Sequence, residues 1–528
     1  MTRPIFEIRR SDAAGRIGRL DIPRRGITIE TPAMLPVVNP HVQSIEPSRL
    51  ADEFGAELLI TNSYVLHHSD EFREPALSQG LHDLLEFPGA IMTDSGSFQL
   101  AEYGSIDVDT TEILAFQDAI GSDIATPVDI PTAPDSDREQ AVADLEETNA
   151  AIVEAADYDA GEMLISAPIQ GSTYPDLREK AARSAYDVGL DIYPVGAVVP
   201  LLRSYRYDDV IDAVAAAKRG LGTDAPVHLF GAGHPMMFAL GVAMGCDLFD
   251  SAAYALYARE DRYLTVTGTE QLETLHHFPC SCPICTTYTP AEIRDLDDDE
   301  RHQRIAEHNL YVTFGELRRV KHAVRQGELL ELVETRSRTH PRLLDGYRAA
   351  LDHHEQLRKA DGVMGTRPFF YVSHESARRP EVLRHHARLE RIEVPETLTL
   401  IDTQLQIHDA NDTHNDTQWP PDLLTTLPDS VKRHITGTPW LLLPPFGPLP
   451  PALSHTYPLT AEIPCRRDAS SVQAAIRGIE SLARAEIDMT LLHHHWAQSL
   501  CEELPSAVTT ISLPKGEANN GSPSDSAS

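Results

Sequence analysis

Short apolar runs recur along the first ~270 residues, and each breaks on a polar residue or a glycine before an amphipathic stretch begins. They read "AELLITNS", "AIMTDSG", "DIATPVDI", "EMLISAPIQG", "DIYPVGAVV", "PVHLFGAG" and "DLFDSAAY". Between them lie stretches with helical spacing, such as "YPDLREKAARSAYDVG" and "YDDVIDAVAAAKRGL". Short strands that are apolar throughout are buried on both faces, so strands alternating with helices predict a parallel sheet covered by helices. Seven or more such units in about 300 residues favour closure into a (β/α)8 TIM barrel over an open sheet. No GxGxxG or GxxxxGK[ST] follows any of the runs, which weakens a nucleotide-cofactor reading.

The ends of the runs carry the chemistry. Asp94, Asp129, Gln170, Gly196 and Asp250 all fall at or just past the tip of an expected strand. Any one of them would pass for a cap at the start of a loop. Five on successive strands point to the rim where such barrels build their active sites. After about residue 370 the texture changes: "HDANDTHNDTQWPPD" reads as a long polar loop and "PPFGPLPP" as a rigid turn. The expected layout is a catalytic barrel over 1–370 and a smaller α/β domain over 373–512. A small, polar, disordered tail over 514–528 would follow.

"PCSCPICTTYTP" places Cys280, Cys282 and Cys285 within six residues, and His308 follows in "AEHNL". Three thiolates and one imidazole would close a tetrahedral zinc site and leave no position for water, so the expected role is structural. The expected zinc knuckle spans 278–310, with His276, His277 and His302 as competing fourth ligands. Cys246, Cys465 and Cys501 are scattered, which is not a disulfide framework.

The net charge of -35 by itself argues against a nucleic-acid partner. Lysine, however, occurs only at 180, 218, 321, 359, 432 and 515, so nearly every cation is arginine. Abundant carboxylates with scarce lysine suit a high-salt cytoplasm, where surface acidity is a solubility device. Salt there screens long-range repulsion to within a few Å, so RNA stays a candidate partner through local arginines, stacking and shape. Arg203, Arg206, Arg259 and Arg262 are candidate phosphate contacts. No apolar run is long enough to span a membrane, and "MTRPIFEIRR" lacks a secretory h-region. A cytoplasmic protein is expected.

Taken together, "MTDSGSFQ", "FGAGHP", "DLFDSAAY" and "CSCPIC…HNL" resemble the tRNA-guanine transglycosylase family in order and spacing. "PVGAVVPLLRSYRY" and "SHESARRPEVLRHHARL" resemble its archaeal branch. The resemblance implies a (β/α)8 barrel with an inserted zinc knuckle, one structural zinc per chain and a homodimer. It implies exchange of a guanine at position fifteen of the tRNA D-arm for 7-cyano-7-deazaguanine (preQ0), an early step toward archaeosine. Such an exchange at C1′ with retention needs two displacements: a carboxylate nucleophile, and a second carboxyl that protonates the leaving purine. The match puts Asp250 at the nucleophile position and Asp94 at the acid/base position. Which of the two bonds to the ribose stays open at this level. Asp129 would accept from the N1–H and 2-amino group of guanine, while Gln170, Ser95 and the backbone of Gly196 and Ala197 complete the pocket. Phe98 and Phe230 would sandwich the purine. No PUA-type RNA-binding module is recognisable before the tail.

Two other readings make different demands. An archaeosine-synthase-like paralogue would lack the carboxylate pair or the zinc ligands and would carry PC-x3-KPY, of which there is no trace. A non-catalytic tRNA-binding subunit would have no need of Asp94, Asp129 and Asp250 together.

Overall fold

The computed structural model describes residues 4–97, 109–362, 367–403, 427, 429–461, 463–482, 487–493 and 496–513. The chain divides into two compact units, Met1–Asp361 and Gly362–Ser528.

Unit 1 opens with three antiparallel strands that the apolar runs did not announce: β1 (Phe6–Asp12), β2 (Gly15–Ile22) and β3 (Ile27–Thr31). β1 is exposed along most of its length, so it lacks the apolar run of a strand buried on both faces. β4 (Ala33–Pro36) follows, then β5 (Leu58–Asn62), β6 (Ala90–Asp94), β7 (Ile124–Ala125), β8 (Leu164–Ile165), β9 (Tyr193–Val195), β10 (Val227–Leu229) and β11 (Leu248–Ser251). These eight form two parallel sheets, ordered β5–β6–β7–β8 and β4–β11–β10–β9. Single parallel bridges link one sheet to the other: Val37 with Ile60, Ser166 with Ile192, and Ile169 with Val195. All seven apolar runs contain one of these strands.

β7 and β8 are only two residues each. Pro127 and Pro168 follow closely, and neither offers the N–H a ladder needs. Alternate residues of both sheets converge in one cluster of Leu35, Leu58, Ile60, Met92, Ile124, Leu164, Ile192 and Leu248. The opposite faces pack on helices, including Pro175–Val188 and Tyr207–Gly220, the two stretches with helical spacing.

β12 (Arg262–Thr265) and β13 (Gly268–Gln271) form a hairpin ahead of the cysteine segment. The helix Asp298–Gln326 follows it, started by Asp297 accepting from Glu300 N–H and ended at Gly327, whose φ is +75°. Among the described residues, no helix is long and apolar enough to cross a membrane.

Unit 2 has its own α/β sheet, ordered β16–β15–β14–β17–β18. Its strands are β14 (Thr397–Asp402), β15 (Thr438–Leu443), β16 (Gly447–Leu449), β17 (Asp488–His493) and β18 (Val508–Ser512). All its pairings are parallel except β15 with β16.

Candidate active site and metal centre

β6 ends on Asp94 because the next residues leave the extended path. Gly96 has φ +85°, a conformation that glycine adopts without penalty. Its N–H donates to Asp94 Oδ1 at 2.8 Å, so the carboxylate folds over its own turn. Ser95 and Ser97, both buried, join through their hydroxyls at 2.8 Å. Asp129 N–H donates to Ser97 Oγ at 3.1 Å and ties this turn to the segment after β7. Phe98, expected to stack on the purine, lies outside the described residues.

The buried Asp129 lies four residues beyond β7, and its Oδ2 accepts from Gln170 Nε2 at 2.5 Å. Gln170 Oε1 is buried and without a partner among the described residues, an uncommon state for an amide oxygen. Gly196, just past β9, leaves room for this amide: a Cβ there would come within 2.3 Å of Gln170 Nε2. Ala197 follows with φ +56°, a strained position for a residue with a Cβ.

Asp250 is the third residue of β11, one before its end. Its Oδ1 takes two bonds, from Gly231 N–H at 2.8 Å and from His228 Nε2 at 2.9 Å. Phe230 is half-buried, and its ring meets the His228 ring edge-on at 4.5 Å between centroids.

The three carboxyls share one electrostatic neighbourhood. Burial pushes Asp94 up to about 7, opposed by the Gly96 N–H and reinforced by the charges of Asp250 and Asp129. Burial also raises Asp129, against the hydrogen bonds of Ser97 and Gln170. Strand tips thus bring together Asp94, Ser95, Asp129, Gln170, Gly196 and Ala197 on one side, and Asp250 with Phe230 on the other. Of the four candidate phosphate arginines, Arg206 pairs with Asp209 and Asp135, and Arg262 with Glu260. Arg259 donates to the Val42 carbonyl, and Arg203 is exposed.

Holding Asp94 half-ionised near neutrality has a cost in stability. Folded, Asp94 keeps its proton to about pH 7; its ordinary value is 3.8. The folded state therefore binds more protons between those values, and stability falls as pH rises through that window. Asp94→Asn removes this slope, worth roughly 2–4 kcal/mol across the window. Urea unfolding of both proteins at pH 5 and pH 8 checks it: the variant gains on the wild type at pH 8, and parallel behaviour would contradict the assignment.

Two residues of the site escaped the reading of the chain. His228 sits inside the apolar run "PVHLFGAG", and a lone histidine in a strand buried on both faces was its signal. Arg178 lies with Ala181, Ala182 and Ala185 on the buried face of its helix, at i, i+3, i+4 and i+7. Its guanidinium is wholly buried and has no carboxylate partner among the described residues. It donates to the carbonyls of Ser172 (2.8 Å), Ile169 (2.7 Å) and Gly196 (2.9 Å). Burial pushes its pKa down to about 10. The cation thus clamps the two segments that carry Gln170 and Gly196. Arg178→Met keeps the volume but takes a donor from the Ser172 and Gly196 carbonyls and leaves Ile169 with the Gly196 N–H alone, an expected loss of about 2–4 kcal/mol. Thermal unfolding of the variant beside the wild type checks it, and an unchanged melting temperature would contradict the clamp.

Cys280, Cys282, Cys285 and His308 bring their ligand atoms within 4.8 Å of one another. His308, and none of His276, His277 or His302, completes this group among the described residues. Its Nδ1 faces the sulfurs of Cys285 (3.3 Å) and Cys282 (3.4 Å), while its Nε2 meets the Leu264 carbonyl at 2.9 Å. That carbonyl can only accept, so the proton sits on Nε2 and the Nδ1 lone pair points at the thiols. Tyr263 stacks on the imidazole at 3.6 Å between centroids and reaches the Cys285 sulfur at 3.2 Å. Asn309 holds β12 by accepting from Leu264 N–H at 2.8 Å. The donor set and the fixed tautomer are consistent with a zinc site.

A family model described as "Queuine tRNA-ribosyltransferase" matches residues 11–342. The chain belongs to the tRNA-guanine transglycosylase family. The family's members are pentosyltransferases that act on tRNA. A tRNA-guanine(15) transglycosylase of Haloarcula marismortui is 57% identical over 505 residues, 95% of this chain and 98% of the relative. The protein of the same description from Haloferax volcanii is 56% identical over 513 residues, 97% and 94% of the two chains. That of Methanosarcina barkeri is 46% identical over 473 residues, 89% and 90%. The family resemblance read from the motifs is therefore met by relatives of the archaeal branch over nearly the whole chain. In this transglycosylase the matched region includes the strand tips, Asp94, Asp129 and Asp250, and all four residues of the thiol–imidazole cluster.

Proposed function

We propose that this transglycosylase removes guanine from position 15 of the tRNA D-arm and installs 7-cyano-7-deazaguanine through a covalent glycosyl-enzyme. The observation that carries the reading is the contrast between two neighbouring carboxyls. Asp94 is pushed up to about 7 and holds a proton near neutrality. Asp250 receives two N–H donors on one oxygen, the arrangement that suits an anion. A carboxyl that holds a proton suits the acid, and one held by two donors on a single oxygen suits the nucleophile.

In the first displacement an Asp250 oxygen bonds to C1′ of the nucleotide as the bond from C1′ to purine N9 breaks. The electron pair leaves with the guanine, which Asp94 protonates. In the second, Asp94 as carboxylate takes the proton from N9 of the entering base. That nitrogen attacks C1′ and releases Asp250. Two inversions give net retention, and no energy input is needed. Asp129 accepts from the N1–H and 2-amino group, and Gln170, Ser95, Gly196 and Ala197 read the rest of the base edge. Phe230 and Phe98 stack on its faces. Both bases share the guanine pairing edge, so one pocket serves both.

The same reading takes the eight parallel strands as a closed (β/α)8 barrel, supported by the parallel bridges between the two sheets at Val37–Ile60 and Ser166–Ile192. Zinc is the metal that Cys280, Cys282, Cys285 and His308 would hold, as a closed structural site with no open position for water. A homodimer is carried by the family resemblance. The test is incubation with unmodified tRNA and labelled 7-cyano-7-deazaguanine, without nucleotide triphosphate, at high salt. Label at position 15 with release of guanine is the expected result. No label from folded, metal-loaded protein would overturn the reading.

A further inference from the structure

We propose that His228 is a positioning residue that, with the Gly231 N–H, fixes one oxygen of Asp250 and leaves the other to attack the ribose. The inference rests on the reading of Asp250 as the nucleophile and assigns a role to a residue outside the pocket.

His228 is wholly buried in β10, which is bound on both sides: His228 aligns with Pro194 of β9 and with Leu248 of β11. Its backbone therefore has little freedom, and the edge-on ring of Phe230 supports the imidazole. Its Nε2 stands 2.9 Å from Asp250 Oδ1, and its Nδ1 is buried with no partner among the described residues. A carboxylate oxygen can only accept, so the proton is on Nε2. His228 is thus a fixed Nε2 donor to Asp250, with no second partner among the described residues.

The second donor, Gly231 N–H at 2.8 Å, meets the same oxygen. Two donors on Oδ1 set the carboxylate plane and leave Oδ2 to form the bond to C1′. Once that ester forms, Oδ1 is its carbonyl oxygen and still accepts both bonds. When the entering base attacks C1′, the electron pair of the breaking C1′–Oδ2 bond returns to the carboxylate, and the same donors stabilise that charge without reorganisation. One clamp therefore serves attack and release.

The experiment uses the full chain with unmodified tRNA and follows formation of the covalent adduct in single turnover, trapped in denaturant. Four variants are compared: His228→Leu, His228→Asn, His228→Gln and Asp250→Asn. The amide nitrogen of glutamine reaches the position of Nε2, whereas that of asparagine stops short of it. Glutamine is expected to stay close to the wild-type rate, and leucine and asparagine to slow adduct formation about 10²-fold at saturating tRNA with the tRNA concentration for half-maximal rate unchanged. Metal content and melting temperature verify the fold. A leucine variant at the wild-type rate overturns the proposal. If leucine prevents folding, equal rates for asparagine and glutamine overturn it. An adduct from Asp250→Asn would refute the nucleophile assignment itself, a result distinguishable from failure of the clamp alone.

Discussion

Asp250→Asn is expected to abolish the covalent tRNA adduct and to lower turnover by at least about 10⁴-fold, the usual cost of deleting a nucleophile. The amide is nearly isosteric with the carboxylate, and its oxygen can still accept from Gly231 N–H and His228 Nε2. The variant should therefore fold with a stability within about 1 kcal/mol of the wild type. Denaturing electrophoresis of protein incubated with tRNA reads the first effect, and thermal unfolding reads the second. A folded variant that still forms the adduct would move the nucleophile to another carboxyl, with Asp94 next in line. Asp94→Asn differs in kind: the carboxylate needed for attack remains, but the leaving purine lacks its proton donor.

Stripping the metal, or replacing Cys282 by serine, should have the largest effect on stability. Structural zinc in small domains contributes about 10–16 kcal/mol of binding free energy that is also folding free energy. Here the cluster joins the cysteine segment to His308 of the helix Asp298–Gln326, and that histidine in turn holds the Leu264 carbonyl of β12. Loss of the ion leaves three thiols and an imidazole facing one another with nothing to bind. The expected result is a destabilisation of several kcal/mol, seen as a lowered melting temperature that zinc restores, with one metal ion per chain by elemental analysis. Cadmium, which also takes thiolate ligands, should restore stability and activity together if the site is structural. Full stability after exhaustive chelation would contradict a structural site.

The strands were legible because buried parallel strands are apolar along their whole length, and every apolar run contains one. The antiparallel strands β1–β3 were not, because β1 faces outward and lacks that pattern. β7 and β8 proved shorter than their runs because Pro127 and Pro168 interrupt the ladder. Strand tips marked Asp94, Asp129 and Asp250 as candidates, since polar residues at the ends of apolar runs stand out. The supporting residues were hidden. Arg178 and His228 sit within apolar patterns, where one polar side chain reads as noise until its partners are known. Their partners are a backbone carbonyl just past the next strand, β9, and a carboxylate on the neighbouring strand β11. The fourth metal ligand was open among several histidines, because only the geometry of a 29-residue helix decides which one reaches the thiols.

The central claim is that Asp250 carries the ribose between the two bases. The most direct measurement is proteolysis of the trapped adduct, formed with labelled tRNA, and mass spectrometry of the peptide that bears the nucleotide. The account predicts the peptide containing "DLFDSAAY", modified at Asp250. Modification of the peptide containing "IMTDSG" at Asp94, or label transferred to tRNA with no modified peptide at all, would contradict it.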